Sequence, residues 1–425
     1  MLSLLIRVLL GLSLTIAGGA LSAAPPSGLP KADPDQNGVS SDRLQQITAM
    51  LQQHVDDGLI AGAVAGVARH GKVVYLESMG WQDVEAQVPM QDNSIFQIRS
   101  MSKAITSLAA LRLHDQGRLN LDDPVSKYIP SYGNMFVLIN PDEPFLSAER
   151  RPTRQITVRD LILNTSGLSS RSSALYQQRR VRSRSDKLEE FVQKMSRVPL
   201  VSNPGERFVY SESISVLGRV IEIATGLALD EYLQQQVFTP LEMVDTGFYV
   251  PGSKHDRHTL VYRVPDEDAA LTVLEPMEIP ITEKPPLLEG AIGMVSTVPD
   301  YLRFYQTLLN GGELDGARVV QVGTAADMTV NQVPEELFPF GVNPERPMLD
   351  RGWGYGLAVV MDASKSSYSA NNGEFGWSGT LGTTALADPS TGTVAILMMQ
   401  VQPSSAHGLA NKFKDLVYSA VDDNQ

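Results

Sequence analysis

Ser100-Met101-Ser102-Lys103-Ala104-Ile105-Thr106-Ser107-Leu108-Ala109-Ala110-Leu111 opens a run in which Ile105, Leu108 and Leu111 recur at helical spacing until Gly117 ends it, so a helix is expected with Ser100 in its opening turn. On such a helix Ser100 and Lys103 share a face, with Cβ atoms about 5 to 6 Å apart, and Ser102 points away from it. A serine hydroxyl is a poor nucleophile until a positioned base removes its proton, and a lysine amine within reach can be that base without any histidine. The helix opening adds a backbone N–H and the positive end of a dipole beside any oxyanion that forms there. Taken alone, the four residues Ser100 to Lys103 read equally well as a solvated Ser and Lys at a helix start.

Two distant segments supply complementary groups. Tyr210-Ser211-Glu212 follows the turn Asn203-Pro204-Gly205-Glu206-Arg207-Phe208 and precedes a helical pattern from Ile214 to Thr225. Tyr210 therefore sits on a loop between elements, where catalytic groups are often held, although a core aromatic would look the same in isolation. Phe375-Gly376-Trp377-Ser378-Gly379-Thr380 places glycines within a strand pattern. Such glycines either allow close approach of another backbone or mark a bulge. A strand edge offering the Thr380 N–H opposite the Ser100 N–H would form a two-donor oxyanion hole, each donor typically worth about 3 to 4 kcal/mol.

Around these segments the chain alternates in character. Leu44, Ile47, Leu51 and Val55, after Ser40, Ser41 and Asp42, give a capped amphipathic helix. Ala61 to Ala68 and Val73 to Ser78 give a hairpin turned by His70-Gly71. From 118 to 285 the chain reads as helical and loop-rich, with helices at Val158 to Leu163, Leu188 to Met195, Ile214 to Thr225 and Asp230 to Val237. Pro299 to Leu309 is a further helix. Strands then return at Tyr355 to Met361, Phe375 to Asp388 and Thr393 to Val401, before a last helix from Leu409 to Val421. The fold class that follows is α+β: an antiparallel sheet built from both chain ends (41–117 and 286–425), flanked by helices, with a mostly helical subdomain (118–285) inserted between them.

Composition narrows the function. The 425 residues are 43% hydrophobic and 20% charged, enough for a sizeable core, and the net charge of -13 disfavours nucleic acid as a partner. There are no cysteines, so disulfides, thiol nucleophiles and thiolate metal sites are excluded. His255 and His258 lie in a polar loop and are expected to be solvated; no metal site is expected. Arg7, the apolar run from Val8 to Ile16 and the small residues through Ala23 have the layout of an export signal. Residues 1–23 are thus expected to be removed, leaving no stable membrane anchor and a periplasmic or secreted domain over 41–425 behind a flexible leader at 24–40. The arginine-rich stretch from Ser169 to Lys187 is expected as a solvated loop rather than an anion-gathering surface. The proline-rich stretch from Asp266 to Leu288 is expected to overhang the pocket and sort acyl chains.

Ser100-x-x-Lys103, the Tyr210 motif and Trp377-x-Gly379, in that order on helix, loop and strand, resemble the serine β-lactamase and penicillin-binding superfamily, and among its members the family VIII carboxylesterases. Phe96-Gln97-Ile98-Arg99-Ser100, Leu121-Asp122-Asp123-Pro124-Val125, Thr165-Ser166-Gly167-Leu168 and Val295-Ser296-Thr297 extend the likeness from about residue 42 to the C-terminus. The resemblance implies a serine β-lactamase-like fold, Ser100 as nucleophile, Lys103 and Tyr210 as the proton-handling pair, and the N–H groups of Ser100 and Thr380 as the oxyanion hole. Trp377, Ser378, Gly379 and Glu212 would border the substrate, and no cofactor is implied. Relatives that bind penicillin usually carry Asn where this chain has Glu212, and Lys or His where it has Trp377. A cation there suits a carboxylate-bearing substrate, whereas Trp377 offers an apolar face and an indole N–H. Short-chain carboxylic esters are therefore the expected small-molecule substrates. A D,D-peptidase or β-lactamase, or a non-catalytic cell-wall ligand-binding protein, are the alternatives. Nothing in the sequence sets the oligomeric state.

Overall fold

A computed structural model of the chain describes residues 28–264, 270–274 and 280–421. The export signal lies outside these residues, as do 266–269 and 275–279 of the proline-rich stretch. The main sheet has eight strands, β1 (Gly62–Arg69), β2 (Lys72–Asp83), β3 (Val88–Pro89), β4 (Arg351–Trp353), β5 (Ala358–Val360), β6 (Phe375–Gly379), β7 (Thr383–Asp388) and β8 (Thr393–Met399). Their order is β4-β5-β6-β7-β8-β1-β2-β3, antiparallel throughout, so the first and last thirds of the chain meet at the β8–β1 seam. His70 and Gly71, both at positive φ, make the tight β1–β2 turn that this sheet twist favours.

β1 is buried along its whole length because both faces are covered. Ala63, Ala65 and Val67 face helices α1 (Ser41–Asp56) and α5 (Leu409–Ala420), among Leu44, Ile47, Leu51, Phe413 and Val417. Val64 and Ala68 face the other way, toward α2 (Ser102–Asp115) and α4 (Val298–Leu309). The period-2 alternation of a strand thus serves two cores at once. At Gly66, α4 rides directly on the strand: a β-carbon there would lie 2.6 Å from Val298 Cγ1.

Several expectations are corrected. Phe375 to Asp388 is two strands, not one, broken by a Thr380-Leu381-Gly382 turn in which Gly382 takes a positive φ. The break follows from Gly382, which an unbroken strand would not need. Thr393 to Val401 is interrupted at Gln400, whose side chain donates to the Gln97 carbonyl and accepts from the Gln97 N–H, both at 3.2 Å, tethering the segment before Ser100 to the sheet. Strand β5 is shorter than the expected Tyr355 to Met361. Where residues 24–40 were expected to form a flexible leader, the described part, from 28, is docked. Ala32 N–H donates to Val73 O on β2 at 2.9 Å and Val73 N–H donates to Pro30 O at 2.8 Å, Ser40 N–H donates to Ala420 O at 2.8 Å, and Val39 is buried. Two apolar side chains, Leu29 and Val39, supply the anchoring that a Pro- and Ser-rich composition concealed.

Between residues 118 and 285 lie short helices, including Val158–Ile162, Ala174–Gln178 and Leu188–Met195, and the longer α3 (Ser213–Thr225). Two small strand pairs, Val137–Leu138 with Glu149–Arg150 and Tyr262–Arg263 with Thr272–Val273, accompany them. His255 Nε2 lies 3.0 Å from Val250 O and His258 Nδ1 2.6 Å from His255 O, and no cluster of metal-ligating side chains occurs among the described residues.

Asp300, in the first turn of α4, is fully buried; its Oδ2 accepts from Asp245 N–H and Thr246 Oγ1, both at 2.8 Å. Burial outweighs these bonds and pushes the carboxyl up to about 7. An unfolded aspartate releases its proton near pH 4, so the protonated native carboxyl stabilises the fold fully below that pH and the contribution is lost as pH rises through 7. Asp300→Asn imitates the protonated form. Calorimetry is expected to show the variant losing a few kcal/mol less stability than the parent between about pH 5 and about pH 8.

Candidate active site

α2 is buried on nearly every side, which explains why its sequence lacks a polar stripe. Ser100 precedes it in a single 3-10 turn, Arg99–Met101, and Arg99 adopts φ +48°, a left-handed conformation costing about 1 to 3 kcal/mol for a residue with a side chain. The turn is locked by Tyr301 Oη donating to Met101 O at 2.7 Å and by Met294 N–H donating to Ser102 Oγ at 3.2 Å. Ser102, expected to face away from Lys103, thus has a structural partner of its own.

Lys103 is 1% exposed. Its Nζ lies 3.4 Å from Ser100 Oγ, donates to Ala291 O at 3.1 Å, and sits 4.5 Å from the centre of the Tyr210 ring. Ala291 was not singled out from the sequence. Its carbonyl reaches the lysine because the Gly290-Ala291-Ile292-Gly293 run packs tightly on α2: Thr106 Oγ1 donates to Gly290 O at 2.8 Å, and a β-carbon on Gly290 would lie 2.9 Å from Thr106 Cγ2. The two closely spaced glycines were the available signal.

Tyr210 is carried by a loop bound along its length to the Asn164–Gly167 segment. Val209, Gly205 and Val201 N–H groups donate to Asn164, Thr165 and Gly167 carbonyls at 2.7 to 2.8 Å. Ser213 Oγ bridges Ser211 and Ser166 at the start of α3. The buried Asn164 holds φ +57°, and neither of its side-chain polar atoms finds a partner among the described residues.

Trp377 Nε1 donates to Tyr210 Oη at 2.9 Å. Behind it Trp353, fully buried, meets the Trp377 ring edge-on with centroids 4.7 Å apart and continues into Phe208, Phe340 and Phe338. Trp353, Phe208 and Phe340 were not read as site residues; their spacing carries no motif. Gly379 packs against the Ile98 carbonyl so closely that no β-carbon fits, and Thr383 Oγ1 also reaches Ile98 O at 3.4 Å. The end of β6, with Thr380 just beyond it, therefore lies against the turn that holds Ser100. Ser378 is corrected: the pleat turns it to the opposite face from Trp377 and Gly379, where its Oγ bonds Thr384 Oγ1 at 2.9 Å.

The arginine-rich stretch also departs from expectation. Arg171 pairs with Glu212 at 2.8 Å and with Glu289 at 3.4 Å, and Arg182 pairs with Glu289 at 2.6 Å. Glu212 and Glu289 are buried, so Arg171 and Arg182 are clasps rather than solvated side chains. Burial alone would push the Glu289 carboxyl up, but the Arg182 hydrogen bonds and the Arg182 and Arg171 charges hold it below its ordinary range. The negative charge of Glu212 is thus balanced by Arg171.

A buried amine against a serine hydroxyl, with a tyrosine ring beside it and a strand end packed on the turn that holds the serine, is an arrangement suited to acyl transfer. The Beta-lactamase family profile matches residues 47–419 of this chain. The chain belongs to the Beta-lactamase family. Within the family's range, Protein Rv1367c of Mycobacterium tuberculosis is 32% identical over 364 residues, covering 84% of this chain and 89% of the relative. Esterase EstB of Burkholderia gladioli is 27% identical over 406 residues, covering 88% and 95%. Among solved structures, EstCE1, described as a hydrolase with promiscuous acyltransferase activity, superposes with a TM-score of 0.76 at 28% identity, covering 90% of this chain and 99% of that one. The protein is thus a serine hydrolase of the β-lactamase fold with esterase relatives.

Proposed function

We propose that the protein is an exported serine carboxylesterase that cleaves short-chain carboxylic esters through an acyl-enzyme on Ser100. The observation that carries this is Lys103 Nζ 3.4 Å from Ser100 Oγ and 4.5 Å from the Tyr210 ring centre. Ser100 Oγ attacks the ester carbonyl while its proton passes to the Lys103 and Tyr210 pair. The N–H groups of Ser100 and Thr380 stabilise the tetrahedral oxyanion, and the alcohol leaves with the proton held by the pair. Water, deprotonated by the same pair, then attacks the acyl carbon and releases the acid and free Ser100.

Neutral esters are favoured over penicillins because no lysine or histidine stands at Trp377 and because Arg171 is already engaged by Glu212 and Glu289. Both features remove a cation that a substrate carboxylate would otherwise meet. Assays with p-nitrophenyl esters of graded acyl length, nitrocefin and a D-Ala-D-Ala peptide test this reading. Ester turnover is expected to exceed the other two, with the highest kcat/KM among the shorter acyl chains. Faster turnover of nitrocefin or the peptide would overturn the substrate assignment.

Transfer of the acyl group to an alcohol in place of water is a second reading, favoured by the half-buried apolar face of Trp377, the front of an aromatic wall whose Trp353, Phe208 and Phe340 are buried behind it. An apolar flank excludes water and welcomes an apolar alcohol. The acyltransferase activity described for EstCE1 supports it.

A further inference from the structure

We infer that Trp377 is a positioning residue for Tyr210, acting through its indole N–H rather than through its apolar face alone. This rests on the proton-handling roles proposed above for Lys103 and Tyr210. The N–H donates to the phenol oxygen at 2.9 Å. A phenol oxygen has two acceptor directions and one proton. With one direction filled from the strand side, the other direction and the proton remain for proton transfer, and Lys103 Nζ, 3.4 Å from Ser100 Oγ, lies 4.5 Å from the centre of the same ring.

The geometry around the indole is built to hold this bond. Trp353 crosses the Trp377 ring at 88° and the Tyr210 ring at 85°, with centroids 4.7 and 6.0 Å away, so both partners of the bond share one buried wall. Trp353 is in turn pinned by its own Nε1, which donates to Ile162 O at 3.3 Å. The charged groups near the phenol are Lys103 below its ring and, across the Tyr210-Ser211-Glu212 segment, Glu212, already paired with Arg171. The indole is therefore a neutral donor in a place where a cation would both hold the phenol and attract a carboxylate substrate. It keeps the first property and gives up the second.

Trp377→Phe removes the N–H and part of the ring. Benzothienylalanine incorporated at 377 keeps the ring shape and removes only the N–H, which separates the bond from packing. The rate of Ser100 phosphonylation by a fluorophosphonate, followed by intact mass, and kcat and KM for p-nitrophenyl butyrate are measured against pH for both variants, the parent and Tyr210→Phe. Both variants are expected to lose roughly ten- to a hundredfold in rate near neutral pH with KM little changed in the benzothienyl form. A rate lost at unchanged KM in the benzothienyl form marks the missing bond rather than lost packing. A benzothienyl variant with the parent's profile, while Tyr210→Phe is impaired, overturns the inference and leaves the catalytic roles standing. A Tyr210→Phe variant as fast as the parent, or a parent whose Ser100 gains no adduct, overturns those roles and the inference with them.

Discussion

Ser100→Ala is expected to lower kcat/KM for p-nitrophenyl butyrate by roughly 10⁴-fold or more, to the level of the buffer reaction. The size of the effect follows from what the substitution removes. Covalent catalysis divides one difficult displacement into two, and without Oγ neither half exists, so only ester binding and the oxyanion donors remain. The fold should tolerate the change. Ser100 is 6% exposed, and Lys103 Nζ, 3.4 Å from its hydroxyl, keeps its second partner, Ala291 O, when the hydroxyl is removed. The melting temperature is therefore expected to move little. Unchanged turnover in a properly folded variant would remove Ser100 from the reaction.

Gly379→Val is expected to lower kcat by about 10²- to 10³-fold with a smaller effect on KM. A β-carbon at this position runs into the Ile98 carbonyl and into Thr383 Oγ1, one of which is backbone and cannot swing aside. Strand β6 must then move away from the turn carrying Ser100, and Thr380 N–H moves with it. Loss of one oxyanion donor has that magnitude because the donor acts on charge present only in the transition state. Overpacking is expected to cost about 1 to 3 kcal/mol of stability as well. Ser378→Ala, one residue earlier but on the other face, provides the contrast: its hydroxyl contacts Thr384, and activity within a few-fold of the parent is expected. Equal losses in the two variants would contradict the placement of the oxyanion hole at the end of β6.

Much of this site was legible because its key spacings are local. Ser100 and Lys103 are one helical turn apart, so helix geometry alone brings them together, and the Gly117 stop and the Ile105, Leu108 and Leu111 pattern were enough to place the helix. Trp377 and Gly379 share a strand face for the equally local reason that strands have period 2, and the same rule should have turned Ser378 away. What escaped the sequence depends on contacts between segments far apart in the chain. Arg171 and Arg182 look solvated in a run of arginines until Glu212 and Glu289, 41 and 107 residues onward respectively, fold over them. The Ala291 carbonyl and the Trp353 wall are likewise set by packing, with no side-chain chemistry of their own to flag them. The docked residues 28–40 show the limit of compositional reading: Leu29 and Val39 find partners on β2 and near α5 that a Pro- and Ser-rich segment does not announce.

The two clasped carboxylates bear on specificity as much as on stability. Arg171 and Arg182, at either side of the Ala174–Gln178 helix, both grip Glu289, two residues before the carbonyl that receives Lys103. The segment between the arginines is thereby fixed to the same backbone that fixes the lysine. Removing an arginine from a buried pair strands the carboxylate and costs more than the pair contributes when intact. Sequence changes that enlarge the substrate range are therefore expected at the aromatic wall rather than at this ion-paired cluster.

The most direct measurement is the mass of the protein quenched during turnover of p-nitrophenyl butyrate, with the adduct located by peptide fragmentation. The account predicts one butyryl group per chain, on the peptide containing Ser100 and on Ser100 itself, absent from Ser100→Ala. A butyryl group on another residue, or sustained turnover that survives loss of the Ser100 hydroxyl with no trapped acyl group, would contradict it.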